Sequence, residues 1–436
     1  MTNAMIDPLP PTDDSPSASS PAEAVVVTGI GWVTPLGIGR DLVWQHLLNG
    51  ISAIRPVHSF DTTPYPVELG GEVPEFDFSS FAARTESSVR GRASQFAVAA
   101  ALLALDDAGL PRDVAQRTPS GGGISPHRAG VVFGTTSGEP NHVEIFNDHR
   151  IEERPSAIDD ALARHYPCHV IPGQVAAEVG FAGPNLMIPA ACAAGNYAVA
   201  QAFDLLRSGR TDLMLAGGAD AFSRITYAGF ARLGAIAKAR CQPFDRQRQG
   251  MVPGEGGAVL VLETADSAKR RGARIYAEIA GCGLSCDAHH MTAAHPEGAG
   301  AARAMSRALD QAGLEPAAID YVSAHGTGTP TNDRLETIAL QRVFGAGAER
   351  VPVSSIKSMI GHTMGAASAI ESGVCALAVS RGEIPPTINF EEPDPECALD
   401  CVPNEGRQLT VTHALNNAYA FGGNNASVIF RQYSTG

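Results

Sequence analysis

One cysteine, at the junction between a predicted strand and a predicted helix, has the setting that best suits covalent chemistry. Residues 186–188 are typical of the end of a short buried strand and residues 198–206 of a helix, so Cys192 lies where strand turns into helix. A thiol there faces the positive end of the helix dipole, which lowers its pKa from about 8.5 towards 7 or below. The pattern predicts a nucleophile, although a lone cysteine among alanines is by default a small buried hydrophobic residue.

A histidine follows a second apolar strand, predicted over residues 320–324. His325 is thereby placed at the carboxyl end of the strand, where open α/β sheets keep their ligand sites. Thr327 and Thr329, in the glycine-containing loop that follows, offer hydroxyl groups to a ligand that carries amides. The alternative is a histidine that only caps its own loop.

A second histidine comes with two charged residues. Lys357 and His362 flank a turn after the strand predicted over residues 351–355, and Glu371 lies in a helix predicted over residues 364–379. A lysine and a glutamate are costly to bury unless they pair. We therefore predict a Lys357–Glu371 ion pair that fixes the site, the alternative being a solvent-exposed lysine.

An aromatic residue precedes two glycines near the C-terminus. Backbone N–H groups around Phe421 and Gly422 could donate to an oxyanion, and the Phe421 ring could gate a cavity. The alternative is an ordinary hairpin, because Gly-Gly before Asn is common turn chemistry.

The elements that must hold these residues alternate between apolar strands and helices, which indicates sheets covered on both faces. The alternation restarts near residue 270, so two similar α/β halves are predicted. Residues 24–270 form the half with the nucleophile, and residues 271–436 the half with both histidines. Residues 1–23 are rich in Pro, Ser and Asp and are predicted to be a disordered leader without the features of a signal peptide.

Composition excludes several classes of function. The chain has 436 residues, a net charge of −14 and 18% charged residues, which argues against nucleic acid as the main partner. It contains no apolar run long enough to span a membrane. Its eight cysteines are scattered, as expected in a reducing cytosol, so a cytoplasmic location is predicted. Cys282 and Cys286 before His289 and His290 lack the spacing of a zinc site, and no metal is predicted.

Cys192, His325 and His362, in this order and with these surroundings, resemble the β-ketoacyl-acyl-carrier-protein synthases (ketosynthases), the elongating type of the thiolase-like condensing enzymes. The resemblance runs from residue 25 to residue 423. It implies a thiolase-like α/β fold with two similar halves packed as five layers (αβαβα). It also implies decarboxylative condensation of an acyl group on the cysteine with malonyl-acyl-carrier protein, which lengthens a fatty-acid-like, polyene or polyketide chain by two carbons.

The resemblance also implies roles for individual residues. Cys192 is the nucleophile, His325 and His362 hold the malonyl thioester and stabilise the enolate, and Lys357 with Glu371 organises the histidines. The backbone N–H groups of Cys192 and Phe421 form the oxyanion hole. The remaining residues bind substrate or form gates: Thr327 and Thr329 line the pantetheine entrance, His290 and Thr292 belong to a second mobile gate, and Ser137 stands where the family closes its acyl tunnel.

Departures from the family pattern indicate an altered pocket. Ala190 and Ala194 replace the Thr or Ser usual beside the nucleophile, and Ala420 replaces a glycine, which is expected to stiffen the Phe421 gate. Ser137 is smaller and more polar than the usual bulky aliphatic residue. We therefore predict a tunnel that admits longer, more conjugated or more polar chains than ordinary fatty acids.

The resemblance implies an acyl carrier protein as partner, no bound cofactor because phosphopantetheine arrives on the carrier, and a homodimer, with a heterodimer containing a second ketosynthase-like subunit as the alternative. An acidic carrier needs positive charge near the tunnel mouth, and the candidates are Arg84, Arg90, Arg92, Arg207 and Arg210.

Three other classes of protein compete with this reading. They are a non-catalytic chain-length partner subunit, which would lack the nucleophile, a thiolase, which would need a cysteine after Cys401, and a papain-like hydrolase, in which the paired histidines have no place.

Overall fold

The computed structural model describes residues 23–81, 91–112, 124–152 and 164–434, so the predicted leader, apart from residue 23, and Arg84 and Arg90 lie outside the described residues. The strands are β1 Val25–Thr34, β2 Gly37–Ile38, β3 Arg55–Pro56, β4 Leu69–Gly70, β5 Ala129–Gly134, β6 Asn185–Ile188, β7 Leu213–Asp220, β8 Gly256–Thr264, β9 Ala277–Cys286, β10 Tyr321–Ser323, β11 Val353–Ser354, β12 Glu383–Ile384, β13 Arg407–Gln408, β14 His413–Tyr419 and β15 Asn424–Arg431. The α-helices are α1 Arg40–Leu48, α2 Arg92–Asp107, α3 Pro140–Ile151, α4 Val170–Val179, α5 Ala194–Arg207, α6 Arg224–Arg232, α7 Ala265–Arg270, α8 Ala299–Ala312, α9 Pro330–Phe344, α10 Lys357–Ile360 and α11 Ala367–Arg381.

The main sheet is built from the same five-stranded unit twice. In the N-terminal half the strands lie in the order β6-β5-β7-β8-β1, and in the C-terminal half in the order β11-β10-β14-β15-β9. When the five strands of each unit are numbered 1 to 5 along the chain, both units have the same order across the sheet, 3-2-4-5-1. The fifth strand is antiparallel to its neighbours in both halves, and the others pair in parallel. The prediction of two similar α/β halves is therefore confirmed.

The two units join through their first strands. The backbone of β1 pairs antiparallel with that of β9 through three residue pairs, Val25 with Ile279, Val26 with Glu278 and Val27 with Ala277. The ten strands of the two units and β2, which pairs with β1, consequently form one 11-stranded sheet.

Helices cover this sheet in layers. Helix α2 packs outside the N-terminal unit and α8 outside the C-terminal unit, while α5 and α11 pack on each other between the two units and contact strands of both. Every residue of α11 from 367 to 379 is buried, as expected for a helix enclosed between the two strand units. This is the predicted five-layer αβαβα arrangement, and both central helices begin at the site described below.

Candidate active site

Cys192 lies in a strained turn between β6 and α5. Ala191 has φ 49°, which a residue with a side chain rarely adopts, and residues 191–193 form a single 3-10 turn before the helix starts at Ala194. A side chain at Gly195 would lie 2.5 Å from the backbone nitrogen of Ala369 in α11. The absence of a side chain at Gly195 therefore lets the two central helices approach each other.

The thiol of Cys192 is not the low-pKa group that its position predicted. Burial raises its pKa to about 12, opposed by the positive charge of Lys357 and assisted by the negative charge of Asp220. The side chain is 8% exposed. Desolvation by the surrounding helices and sheets outweighs the helix dipole, so Cys192 is a neutral thiol in the free site at pH 7.

His325 is held by the carboxylate of Glu336 in α9. The two oxygens of Glu336 accept the backbone N–H groups of His325 and Gly326, each at 2.8 Å. Burial raises the pKa of Glu336 to about 7. Glu336 was missed from the sequence, where a glutamate in a helix rich in polar residues indicates a solvated face.

His362 lies in the turn between α10 and α11, where its Nδ1 accepts the backbone N–H of Met364 at 3.2 Å. The ring centroids of His325 and His362 are 5.4 Å apart and the rings are nearly perpendicular, at 84°. Burial, together with the charge of Lys357, lowers the pKa of both histidines well below their usual range. Both are neutral at pH 7, and His362, with Nδ1 as acceptor, carries its proton on Nε2.

The predicted Lys357–Glu371 ion pair is confirmed. Nζ of Lys357 donates to Oε1 of Glu371, and both side chains are 1% exposed. Burial raises the pKa of Glu371 to about 7, and Lys357 opposes that rise. Lys357 also lowers the pKa of Cys192 and of both histidines, so one cation acts on three groups that come from distant parts of the chain.

The structure brings the two predicted gates together. The backbone N–H of Gly422 donates to Met291 O at 2.8 Å, and the N–H of Asp287 donates to Gly423 O at 2.9 Å. Phe421 is 41% exposed, and its ring lies 6.1 Å from that of Phe230 in α6. His290 and Thr292 are exposed, and Nδ1 of His290 accepts the N–H of Thr292 at 3.1 Å.

Thr327 and Thr329 bond each other, with 2.9 Å between their Oγ1 atoms, and Thr329 also caps α9 by accepting the N–H of Asn332. Their hydroxyls thus have structural partners, beside the loop that carries His325.

Asp220, which the sequence analysis missed, connects the two halves at the site. Its carboxylate accepts Thr135 Oγ1 and the N–H groups of Thr136 and Ser137 from the N-terminal half, and the N–H of Gly365 at 2.7 Å from the C-terminal half. Burial raises its pKa to about 6. Ser137 is half-buried, and its Oγ lies 3.4 Å from Thr226 Oγ1. The turn of Ser137 and the turn of His362 therefore share one anchor.

A buried amide network fixes the two central helices. Asn416 in β14 donates to Asn196 Oδ1 in α5 at 2.9 Å and to Ser368 O in α11 at 2.9 Å. Ser368 in turn donates to Cys192 O at 3.4 Å. Asn416 was not identified as a functional residue from the sequence.

Three arginines of the predicted docking patch, Arg92, Arg207 and Arg210, lie among the described residues. Arg92 is paired with Glu255 through two hydrogen bonds. Arg207 ends α5 and Arg210 follows it, whereas Cys192 precedes the other end of that 14-residue helix, about 20 Å away. Leu233 and two residues of the predicted gates, Met291 and Phe421, have exposed apolar side chains.

Two further properties concern the described residues only. Within those ranges no three or more His, Cys, Asp or Glu side chains group as a metal site. In the same part of the chain, none of the helices has the length and apolarity needed to cross a membrane.

Comparison with known proteins gives consistent matches over nearly the whole chain. The family models "Beta-ketoacyl synthase, N-terminal domain" and "Beta-ketoacyl synthase, C-terminal domain" match residues 22–268 and 276–391. The 3-oxoacyl-[acyl-carrier-protein] synthase 2 of Synechocystis sp. is 38% identical over 416 residues, which are 94% of this chain and 98% of that protein.

Two solved structures are similar over 95% of this chain and all of theirs. One, "The ishigamide ketosynthase/chain length factor", is 41% identical with a TM-score of 0.89. The other, a type II PKS acyl-carrier protein in complex with its ketosynthase bound to the hexaketide, is 32% identical with a TM-score of 0.84.

Proposed function

The chain belongs to the β-ketoacyl synthase family, and from that premise we propose that it joins an acyl group on Cys192 to malonyl-acyl-carrier protein, with loss of CO2. The observation that carries the proposal is the pair of neutral imidazoles, 5.4 Å apart and next to a buried lysine that also acts on the Cys192 sulfur.

The first step is acyl transfer. The Cys192 sulfur attacks the thioester carbonyl of the acyl carrier, the carbon–sulfur bond to the carrier breaks, and the thiol proton of Cys192 leaves with the carrier thiol. Because the free thiol is neutral, the sulfur must lose its proton as it attacks, assisted by the charge of Lys357 and the start of α5. The predicted oxyanion hole, the N–H groups of Cys192 and Phe421, would receive the developing charge.

The second step forms the carbon–carbon bond. The malonyl thioester loses CO2, and the electron pair of the broken bond becomes an enolate whose carbon attacks the acyl carbonyl on Cys192. The Cys192 sulfur leaves and takes up a proton, which restores the thiol. His362, with its proton on Nε2, donates to the thioester oxygen, and His325 supplies the second donor. Each well-placed donor lowers the barrier by about 3 kcal/mol.

The Lys357–Glu371 pair explains why neutral donors persist. A positive charge beside two buried imidazoles opposes their protonation, and an imidazole that stays neutral keeps one ring nitrogen as acceptor and the other as donor. Glu371 balances the charge of Lys357, which could not otherwise be buried cheaply.

The carrier protein is proposed to dock at the gate face. Arg232, the last residue of α6, and Lys238, which follows that helix, are both exposed. Phe230 of the same helix contacts Phe421. Leu233, 60% exposed, and Met291, 75% exposed, add apolar surface there. An acidic carrier would be steered by these cations and would deliver its phosphopantetheine between the gates. No resident cofactor is needed for either step.

The acyl chain is proposed to be longer, more conjugated or more polar than an ordinary fatty acid. The hydroxyl oxygens of Ser137 and Thr226 lie 3.4 Å apart, at the turn where the family closes its acyl tunnel. One of the two similar solved structures is described as the ishigamide ketosynthase, and the other contains a ketosynthase bound to a hexaketide. Replacing Ser137 with Ile should restrict loading of Cys192 to shorter chains. A parent that stops at medium saturated chains, with a profile that Ser137→Ile leaves unchanged, would contradict the proposal.

A homodimer in the cytoplasm is proposed as the working form. Among the described strands, β6 lies at the edge of the N-terminal unit, and its Leu186 is exposed, as expected of a surface that a partner covers. All eight cysteines are free, which suits a reducing compartment. A heterodimer with a second ketosynthase-like subunit is the alternative, because one similar structure contains a chain length factor. The mass of the chain alone in solution separates these forms.

Intact-mass analysis tests the reaction itself. The protein is incubated with a panel of acyl-carrier thioesters and then with malonyl-carrier. We expect an acyl adduct on Cys192 that disappears as 3-oxoacyl carrier and CO2 form. Free acid without a new carbon–carbon bond would instead identify a hydrolase.

A further inference from the structure

Tyr419 is a buried tyrosine whose hydroxyl has no task in the reaction described so far. It ends β14, is 7% exposed, and its ring lies 5.8 Å from the His325 ring at 64°. Its hydroxyl is buried and has no hydrogen-bond partner among the described residues. Burying a hydroxyl without a partner is costly, so a partner is expected in the working protein.

The neighbouring imidazole has a matching atom. Nδ1 of His325 is also buried and unpartnered within the described ranges. The other histidine differs, because Nδ1 of His362 accepts the N–H of Met364 and its tautomer is thereby set by the backbone. The described protein offers His325 no such backbone donor at Nδ1, although both rings are proposed to donate from Nε2.

We propose that Tyr419 is a positioning residue that fixes the tautomer of His325, through one enclosed water that accepts from the tyrosine hydroxyl and donates to Nδ1. With Nδ1 as acceptor, the neutral ring carries its proton on Nε2 and presents it to the malonyl thioester oxygen. A small polar site with two or more partners is one that holds a water. The inference rests on the proposed function, since the thioester is the group that His325 would face.

The charge around Tyr419 keeps its hydroxyl a donor. Burial, with the negative charges of Glu336 and Asp287, raises the pKa of Tyr419 well above its usual value. Glu336 is the carboxylate that holds the backbone of His325. One group therefore fixes the main chain of His325, and Tyr419 is assigned to its ring.

Tyr419→Phe removes only the hydroxyl, and the chain offers a matched control. Tyr227 is also fully buried, and its hydroxyl has no partner within the described ranges, but its ring packs against Phe60, Tyr65 and Phe222. Tyr419→Phe should slow malonyl-carrier decarboxylation about tenfold, because a ring free to adopt the other tautomer loses its donor. Acylation of Cys192 and the KM for malonyl-carrier should stay within about twofold, and Tyr227→Phe should change none of these.

Decarboxylation at the parent rate in Tyr419→Phe would overturn the inference, and so would an equal loss in both half-reactions, which indicates a merely structural role. A crystal structure of the parent should show a water within hydrogen-bond distance of both atoms, and a tyrosine hydroxyl bonded elsewhere would also overturn it. A parent that forms no 3-oxoacyl product refutes the proposed function instead, so the two failures are distinguishable.

Discussion

The N-terminal and C-terminal halves use the same turn for different purposes. Ala191 and Met364 have φ of 49° and 55°, and each begins a three-residue 3-10 turn that leads into a central helix. The next residue is Cys192 in one half and Gly365 in the other. A side chain on Gly365 would lie 2.7 Å from Oδ2 of Asp220, so the second turn admits only a backbone N–H. The turn in the N-terminal half places the Cys192 sulfur. The turn in the C-terminal half places the Gly365 N–H, whose bond to Asp220 anchors the turn of His362.

The second strand of each half shows the same division. Strand β5 leads into the turn of Thr135 and Ser137, which is assigned to the acyl chain, whereas β10 leads to His325, which is assigned to the malonyl group. The repeated five-stranded unit therefore fixes the positions of the side chains. A few residue types at those positions decide which half binds the acyl chain and which binds the malonyl group.

Removing the sulfur should have the largest effect. Cys192→Ala should lower condensation by about 10⁴-fold or more, because no acyl-enzyme can form. Decarboxylation of malonyl-carrier should continue, since it is assigned to the C-terminal half. Intact mass and CO2 release measure the two. Cys282→Ala, which changes a half-buried cysteine in β9, is the control. Condensation at the parent rate in Cys192→Ala would end the division of labour between the halves.

Breaking the buried ion pair should come next. Lys357→Met leaves the buried Glu371 without its cation, and the free energy of unfolding should fall by about 3–5 kcal/mol. The double variant Lys357→Met/Glu371→Leu should recover most of that stability but not the activity, because the histidines lose the neighbouring charge. Denaturant unfolding and condensation rates check both. A double variant as active as the parent would show that the pair serves packing alone.

The site residues that could be proposed from the sequence are those whose local surroundings carry the signal. Cys192, His325 and His362 each follow a strand end, and Lys357 and Glu371 are charges in apolar segments. Asp220 and Glu336 were missed because their partners are backbone N–H groups brought close only by folding. The raised pKa of Cys192 has the same origin, since burial comes from distant sheets. Likewise, spacing alone could not show that Arg207 lies at the far end of α5.

The helices were predicted unevenly for a related reason. Helices α5 and α11 are rich in apolar residues and were located from the sequence to within a few residues. Helix α3, Pro140–Ile151, buries only Pro140 and carries mostly polar side chains, so its sequence has no apolar periodicity that predicts a helix. Contacts with other elements stabilise such a helix, and a single sequence does not show them.

A buried carboxyl without a cation should have a smaller, pH-dependent effect that contrasts with Glu371. Glu139 in the N-terminal half accepts the N–H groups of Ala93 and Ser94, and burial raises its pKa to about 7. The folded protein thus holds a proton that the unfolded chain releases near 4.5, so this stability is present below that pH and is lost as pH rises through about 7.

The slope expected from Glu139 is about 1.4 kcal/mol per pH unit within that window. Glu139→Gln should remove the part of this pH dependence that comes from one titrating proton. The measurement is the free energy of unfolding between pH 5 and pH 8. The exposed Glu297→Gln should leave the slope unchanged. An identical slope in Glu139→Gln and the parent would show that Glu139 is already ionised when folded.

The smallest effect should come from the surface, where the gate face can be compared with the far end of α5. Arg232→Glu/Lys238→Glu, at the gate face, should raise the KM for carrier-bound substrates about fivefold through lost steering, and added salt should reduce the difference. Small pantetheine thioesters, which need no docking, should react as before. Arg207→Glu/Arg210→Glu makes the same charge change at the far end of α5 and should leave both kinds of substrate unaffected. If the distal pair raises the carrier KM and the gate pair does not, the carrier approaches from the opposite side, and the mouth assigned to Phe421 and Met291 is wrong.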